Sequence, residues 1–151
     1  MESLTQAPPR TGPRQRIAAL WGDVKRRVAI ARLDARLRGE LKYELKCLDE
    51  AGELDGALAN IGLSRDAIPT LLKHYPGCVR RFTTMGRRLG IGRDRPPSLR
   101  GGLAALFGQR RRCLFCTESQ RCERWLASGA IDGYRAFCSN ASSFERMQKR
   151  A

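Results

Sequence analysis

Apolar residues recur at helical spacing along most of the chain, and nowhere do they alternate as a half-buried strand requires. Ile17, Trp21, Val24 and Val28 form one stripe, and Ile30, Leu33, Leu37, Leu41, Leu45 and Leu48 form a second. This is the recurrence of one helix face. No proline falls between Arg14 and Ile68, and Gly22 and Gly39 are the weak points before Gly52. The pattern predicts one long helix, or two helices broken near Gly39, ending at Ala51-Gly52. Ser64 is placed to cap a short helix through Ala67 and Leu71, with Pro69 tolerated in the first turn or forcing a kink. His74-Tyr75-Pro76-Gly77 reads as a turn. Val79, Phe82, Met85 and Leu89 then share one face of a helix over 78–89.

Gly90, Gly92, Pro96 and Pro97 predict a loop over 91–97, and Ser98 opens a short helix over 99–107. Thr117 and Gln120 stand at capping-box spacing before a helix carrying Cys122, Trp125 and Leu126, which stops at Ser128-Gly129. Asp132 is placed to cap one turn through Tyr134 and Phe137, and Asn140 to cap a last helix with Phe144 and Met147. The expected fold class is all-α: a long N-terminal helix or helical hairpin, then short helices. The expected organisation is a flexible arm over 1–15, a basic amphipathic helical region over 16–75 and a third region over 76–151.

Charge changes the picture next. Lys plus Arg number 29 against 15 Asp plus Glu, a net charge of +14, which attracts polyanions such as RNA, DNA, anionic lipid or an acidic protein. Between Arg80 and Arg124 twelve arginines face three acids, whereas between Asp34 and Asp66 eight acids face five bases. The excess therefore belongs to the C-terminal half and the N-terminal arm. The longest apolar runs, 17–21 and 103–107, are five residues each, far short of the ~20 that a spanning helix needs. Residues 1–16 lack the apolar core of a secretory signal, which predicts a cytoplasmic protein. Trp21 with Lys25, Arg26 and Arg27 fits a basic helix lying on an anionic membrane, or else a core or partner stripe.

Six cysteines stand at 47, 78, 113, 116, 122 and 138, and the last four read C-x2-C-x5-C-x15-C. Cytosolic thiols are kept reduced, so four gathered in a short stretch point to a metal ion or an iron–sulfur cluster rather than to disulfides. Cys113, Cys116, Cys122 and Cys138 are the candidate ligands. The uneven spacing favours a [4Fe-4S] cluster, whose cysteines hold separate irons, over a structural zinc ion, which draws more often on paired knuckles. Phe115, Trp125 and Phe137 stand close enough in sequence to shield such a centre. Four thiolates around a dication leave a charge of about −2, which needs nearby cations. Arg110, Arg111, Arg112, Arg121 and Arg124 flank the ligands, and with Arg80, Arg81, Arg87 and Arg88 they form the candidate surface for RNA, DNA or an acidic partner. Cys47 reads as core, and Cys78 as a reserve ligand at the start of its helix. His74, the sole histidine, reads as turn surface, and no nucleophile motif or phosphate loop is present.

The C-x2-C-x5-C stretch is similar to the end of the cluster loop in endonuclease-III-like DNA glycosylases, whose fourth cysteine lies upstream instead. Cys113-Leu114-Phe115-Cys116, Cys122-Glu123-Arg124-Trp125-Leu126 and Phe137-Cys138-Ser139-Asn140 together resemble a small uncharacterised bacterial cysteine-rich domain, with the pattern C-x2-C, C-x2-W-L, F-C-x-N over about 78–150. The basic helix from Trp21 to Arg38 and the phrase from Leu58 to Arg65 resemble YjiS-like arginine-rich bacterial proteins, which implies RNA binding and stress-linked regulation. The expectation is a non-enzymatic metal-binding regulator or adaptor. The alternatives are an iron–sulfur electron-transfer or redox-sensing subunit docking on an enzyme, and a structural zinc adaptor.

Overall fold

The long proline-free stretch forms a single helix, α1 (Pro13–Glu50), which passes Gly22 and Gly39 without a break. Pro13 opens it, where the missing N–H would have lacked a helical partner anyway. Beyond its last turn Gly52 adopts φ +74°, and the Glu53 N–H donates to the Leu48 carbonyl at 2.8 Å, the closure that a left-handed residue makes possible. The computed structural model describes residues 12–91, 103–106 and 108–149, with backbone alone at 104 and 105. Of the arm expected over 1–15, residues 1–11 lie outside these residues, while 13–15 are already helical in α1. Most of the expected loop over 91–97 and the ends of the expected helix over 99–107 also lie outside them. Its remainder, Leu103–Leu106, is a 3-10 turn.

The chain divides into two compact units within α1, between Leu33 and Asp34. In the first unit, the described residues are the leading turns of α1. Ile17, Leu20, Trp21, Val24 and Val28 are all exposed there, so the first apolar stripe is not core.

In the second unit the later stripe is core: Leu37, Leu41 and Leu45 are buried, as are Leu54 and Leu58 of α2 (Leu54–Asn60). A 3-10 turn over Arg65–Ala67 leads into α3 (Ile68–Arg88), with Pro69 in its first turn. The turn expected at 74–77 is absent, because α3 runs straight through Pro76. A proline inside a helix removes the donor for the carbonyl four residues earlier. Here that carbonyl, Leu72, accepts from Arg38 Nε at 3.2 Å. Tyr75 and Pro76 are buried, as are Cys78, Val79, Phe82 and Met85 further along the helix.

Three short helices follow: α4 (Gln109–Leu114), α5 (Ser119–Ser128) and α6 (Ala141–Gln148). No strand occurs among the described residues. The expected capping box is not made, because Glu118 rather than Thr117 takes the cap of α5 and Gln120 falls out of register. Gly133 takes the cap expected of Asp132, before a turn over Tyr134–Ala136. Helix α3 packs against α4 and α5, and α6 packs against the Tyr134–Ala136 turn. Phe82, Met85, Trp125, Tyr134 and Phe144 form a common aromatic core. No described helix is long and apolar enough to cross a membrane.

Arg38→Ala should cost about 1–3 kcal/mol, because it strands a carbonyl beside a buried proline. In a Pro76→Ala background the cost should fall by more than half, since residue 76 then supplies the donor to Leu72. A double-mutant cycle by urea denaturation measures this, and equal costs in both backgrounds would reject the role given to Arg38.

Candidate metal centre

The aromatic core carries thiols on its flank. Cys113 on α4, Cys122 on α5 and Cys138, just after the Tyr134–Ala136 turn, all pack against it half-buried, together with Phe137. Cys116, in the connection from α4 to α5, is within electrostatic reach of Cys113, Cys122 and Cys138. The structure thus brings the four candidate ligands into one region from four separate segments.

A fifth thiol joins them. Cys78 lies in the middle of α3 rather than at a helix start, fully buried, and its S–H donates to the Arg110 carbonyl of α4 at 3.1 Å. Its charged form is opposed by Cys113 and Cys116. Thirty-five residues separate it from Cys113, so only its place on the stripe with Phe82 and Met85 could have marked it as facing the same core. Cys47 is corrected in the other direction: it is exposed on α1 rather than core.

Burial pushes the Cys78 and Cys122 thiols up to about 12 and Cys113 up to about 11, and neighbouring thiols add to each rise. Burial also raises Cys138. Thiolates in an apolar site need positive charge beside them. Arg81 supplies some: it favours ionisation of Cys78, Cys113 and Cys122 alike. Its guanidinium, with the side chain only 11% exposed, pairs with Glu123 at 3.0 Å and donates to the Cys113 carbonyl at 3.3 Å. Gly77, one turn earlier, leaves the space it occupies, since a Cβ there would stand 2.9 Å from Arg81 Nη1.

Asn140 holds the N-cap of α6 but makes no side-chain capping bond. Instead its Nδ2 donates to the Gln109 carbonyl at 2.8 Å and to Cys113 Sγ at 3.1 Å. Asn140 is fully buried, and its Oδ1 has no hydrogen-bond partner.

Trp125 and Phe137 stand beside the thiols as expected, their ring centroids 6.2 Å apart. Phe115 does not: it is 52% exposed and lines a separate small cleft with Leu63, Leu71 and His74. The arginines also divide. Arg80 pairs with Asp34 at 2.7 Å across α3 and α1. Arg88 donates to the Ala130 carbonyl and lies over the Trp125 ring, and Arg110 lies over Phe82. These three and Arg81 are engaged within the protein. Arg87, Arg111, Arg112, Arg121 and Arg124 are exposed, Arg121 lying over Phe137 and Arg112 reaching the Ser139 carbonyl. Among the described residues, no group of three or more His, Cys, Asp or Glu side chains stands in ligating geometry for a metal ion.

The fold and site define a class: an all-α protein whose C-terminal half packs half-buried thiols on an aromatic core, with a largely covered arginine beside them. Residues 73–150 match a family described as a family of unknown function (DUF6455), and the chain belongs to it. All five clustered cysteines lie within the matched residues, and the exposed Cys47 lies outside them. No curated protein and no solved structure matches the chain.

Asn140→Ala should destabilise the protein by about 1–3 kcal/mol, because it removes the buried donor shared by the Gln109 carbonyl and Cys113 Sγ. Asn140→Asp should cost more, since it replaces the donor amide with a carboxylate against Cys113. Urea midpoints measure both, and unchanged midpoints would remove Asn140 from the organisation of the site.

Proposed function

We propose that this protein is a non-enzymatic metal-binding regulator or adaptor, in which Cys113, Cys116, Cys122 and Cys138 hold an inorganic centre, a [4Fe-4S] cluster in preference to zinc. The observation that supports this reading is the packing of Cys113 from α4, Cys122 from α5 and Cys138 from the turn before α6 on one aromatic core, with Cys116 of the α4–α5 connection within electrostatic reach of them. Protonated, such thiols pack as small apolar groups; a shared cation would draw them into the thiolate form that ligation requires.

The donors fit such a group in kind. They are sulfur, with an amide N–H already directed at one of them and an unpartnered buried carbonyl oxygen beside it. When bound, the centre would cross-link three short helices. On its loss the local packing would loosen, which is how a regulatory response to iron or oxidants would operate. Arg81 would offset part of the net negative charge from within. The exposed Arg87, Arg111, Arg112, Arg121 and Arg124 would form the surface for RNA, DNA or an acidic protein. The internal pairing of Arg80 with Asp34 withdraws it from that surface.

Anaerobic purification followed by iron, sulfide and zinc analysis tests this reading. Wild type and Cys47→Ser should carry the same centre per chain, and Cys122→Ser should lose most of it. Metal-free wild type, or equal metal in all three proteins, would overturn the proposal. Cys78→Ser measures whether the fifth thiol is a ligand: it is not if metal content is unchanged.

A further inference from the structure

The leading turns of α1 present a second chemistry, independent of the thiols. At 100° per residue, Ile17, Leu20, Trp21, Val24 and Val28 fall within an arc of about 100°. Every one of them is exposed, with Leu20 at 66% and Trp21 at 62%. Ile17, Leu20, Trp21 and Val24 together line one shallow apolar groove.

Cations border this arc on both sides. Arg14, Lys25 and Arg32 project beside Trp21, and Arg16 and Arg27 project beyond Leu20; all are exposed. Described residues 12–33 hold six cations and one acid, Asp23. That acid is engaged by Arg27 at 2.8 Å and Arg26 at 3.8 Å.

We infer that this face of α1 docks on an anionic lipid surface, with the apolar arc entering the headgroup–acyl boundary and the flanking Arg and Lys heads reaching lipid phosphates. Three features favour this occupant. The arc is too short for a membrane span and lies along a helix side, as an interfacial helix requires. Long cationic side chains at its edges can lay their stems on apolar surface while their heads stay in the headgroup layer. Charge complementarity also separates the candidates. A second copy would bring its own excess of cations to within a Debye length of about 8 Å. A nucleic acid would satisfy the cations but leave five aliphatic and aromatic side chains in water.

The full-length protein should co-sediment with phosphatidylglycerol-containing vesicles about tenfold or more strongly than with pure phosphatidylcholine vesicles. The fluorescence of exposed Trp21 should shift to the blue on binding, while buried Trp125 stays silent. Val24→Asp sits on the exposed arc, so it should keep the helical circular dichroism and lose the vesicle binding. Absence of binding at low salt would overturn the inference, as would equal binding to both vesicle types or unchanged binding of Val24→Asp. So would a dimer, seen by light scattering and dissociated by Val24→Asp, in protein that ignores vesicles. RNA binding by protein that ignores vesicles would reassign the cations to a nucleic acid.

Discussion

Pro76 deprives α3 of one main-chain donor, and the carbonyl it leaves open is answered from another helix by Arg38 at 3.2 Å. That one replacement lets α3 continue as a helix to Arg88. The consequence is positional. Cys78, Arg81, Phe82 and Met85 occupy successive turns of a single face only because the helix does not break at 74–77. A break there would release the phase between the part of α3 that meets α1 and the part that meets α4 and α5. Arg80, paired with Asp34 of α1, ties the same two helices one turn further on.

The second constraint is electrostatic. Cys78, Cys113 and Cys122 form an arrangement that opposes its own ionisation, since burial and mutual repulsion act in the same direction. Without a cation these thiols stay protonated and pack as small apolar groups; a bound cation would be needed to draw them into the thiolate form. Arg81 is set among the thiols with a carboxylate partner on its outer side, Glu123. A guanidinium suits this position because it is weakly hydrated and can direct separate N–H groups at a carboxylate and a carbonyl. Asn140 adds a directed N–H to Cys113 while tying it to the start of α4 through the Gln109 carbonyl. Arg81 and Asn140 thus direct N–H groups at the backbone and sulfur of Cys113.

Much of the fold was legible because helical periodicity is a local signal. The long first helix, the stripe of Leu37, Leu41 and Leu45, and the stop of α5 at Gly129 all follow from spacing and turn chemistry. The failures have non-local causes. Pro76 and Gly77 carry every local mark of a turn, and the side chain that overrides them lies 38 residues earlier. Asn140 was correctly placed at the start of α6, but its Nδ2 is held by the Gln109 carbonyl and Cys113 Sγ, and in that orientation its Oδ1 makes no capping bond. Cys78 was separated in sequence from the other thiols, and Phe115, adjacent to two of them, turns away from the core. The division of the arginines was likewise invisible in composition, since pairing with Asp34 or stacking on Trp125 depends on which helices meet.

That division bears on what a net charge of +14 means. Arg80, Arg81, Arg88 and Arg110 act inside the protein, where a guanidinium over a ring or against a carboxylate does structural work and is shielded from a passing polyanion. A second group, Arg87, Arg111, Arg112, Arg121 and Arg124, stands on the surface of the C-terminal half, where its field is limited to about a Debye length. The third borders an apolar arc on α1. Phosphate alone complements the second group, because its attraction needs only charge. The third is complemented only by something that is both anionic and able to exclude water from aliphatic side chains. The two outer surfaces therefore differ in kind, and salt separates them: screening weakens a purely ionic contact steeply, while it leaves the apolar share of the other in place.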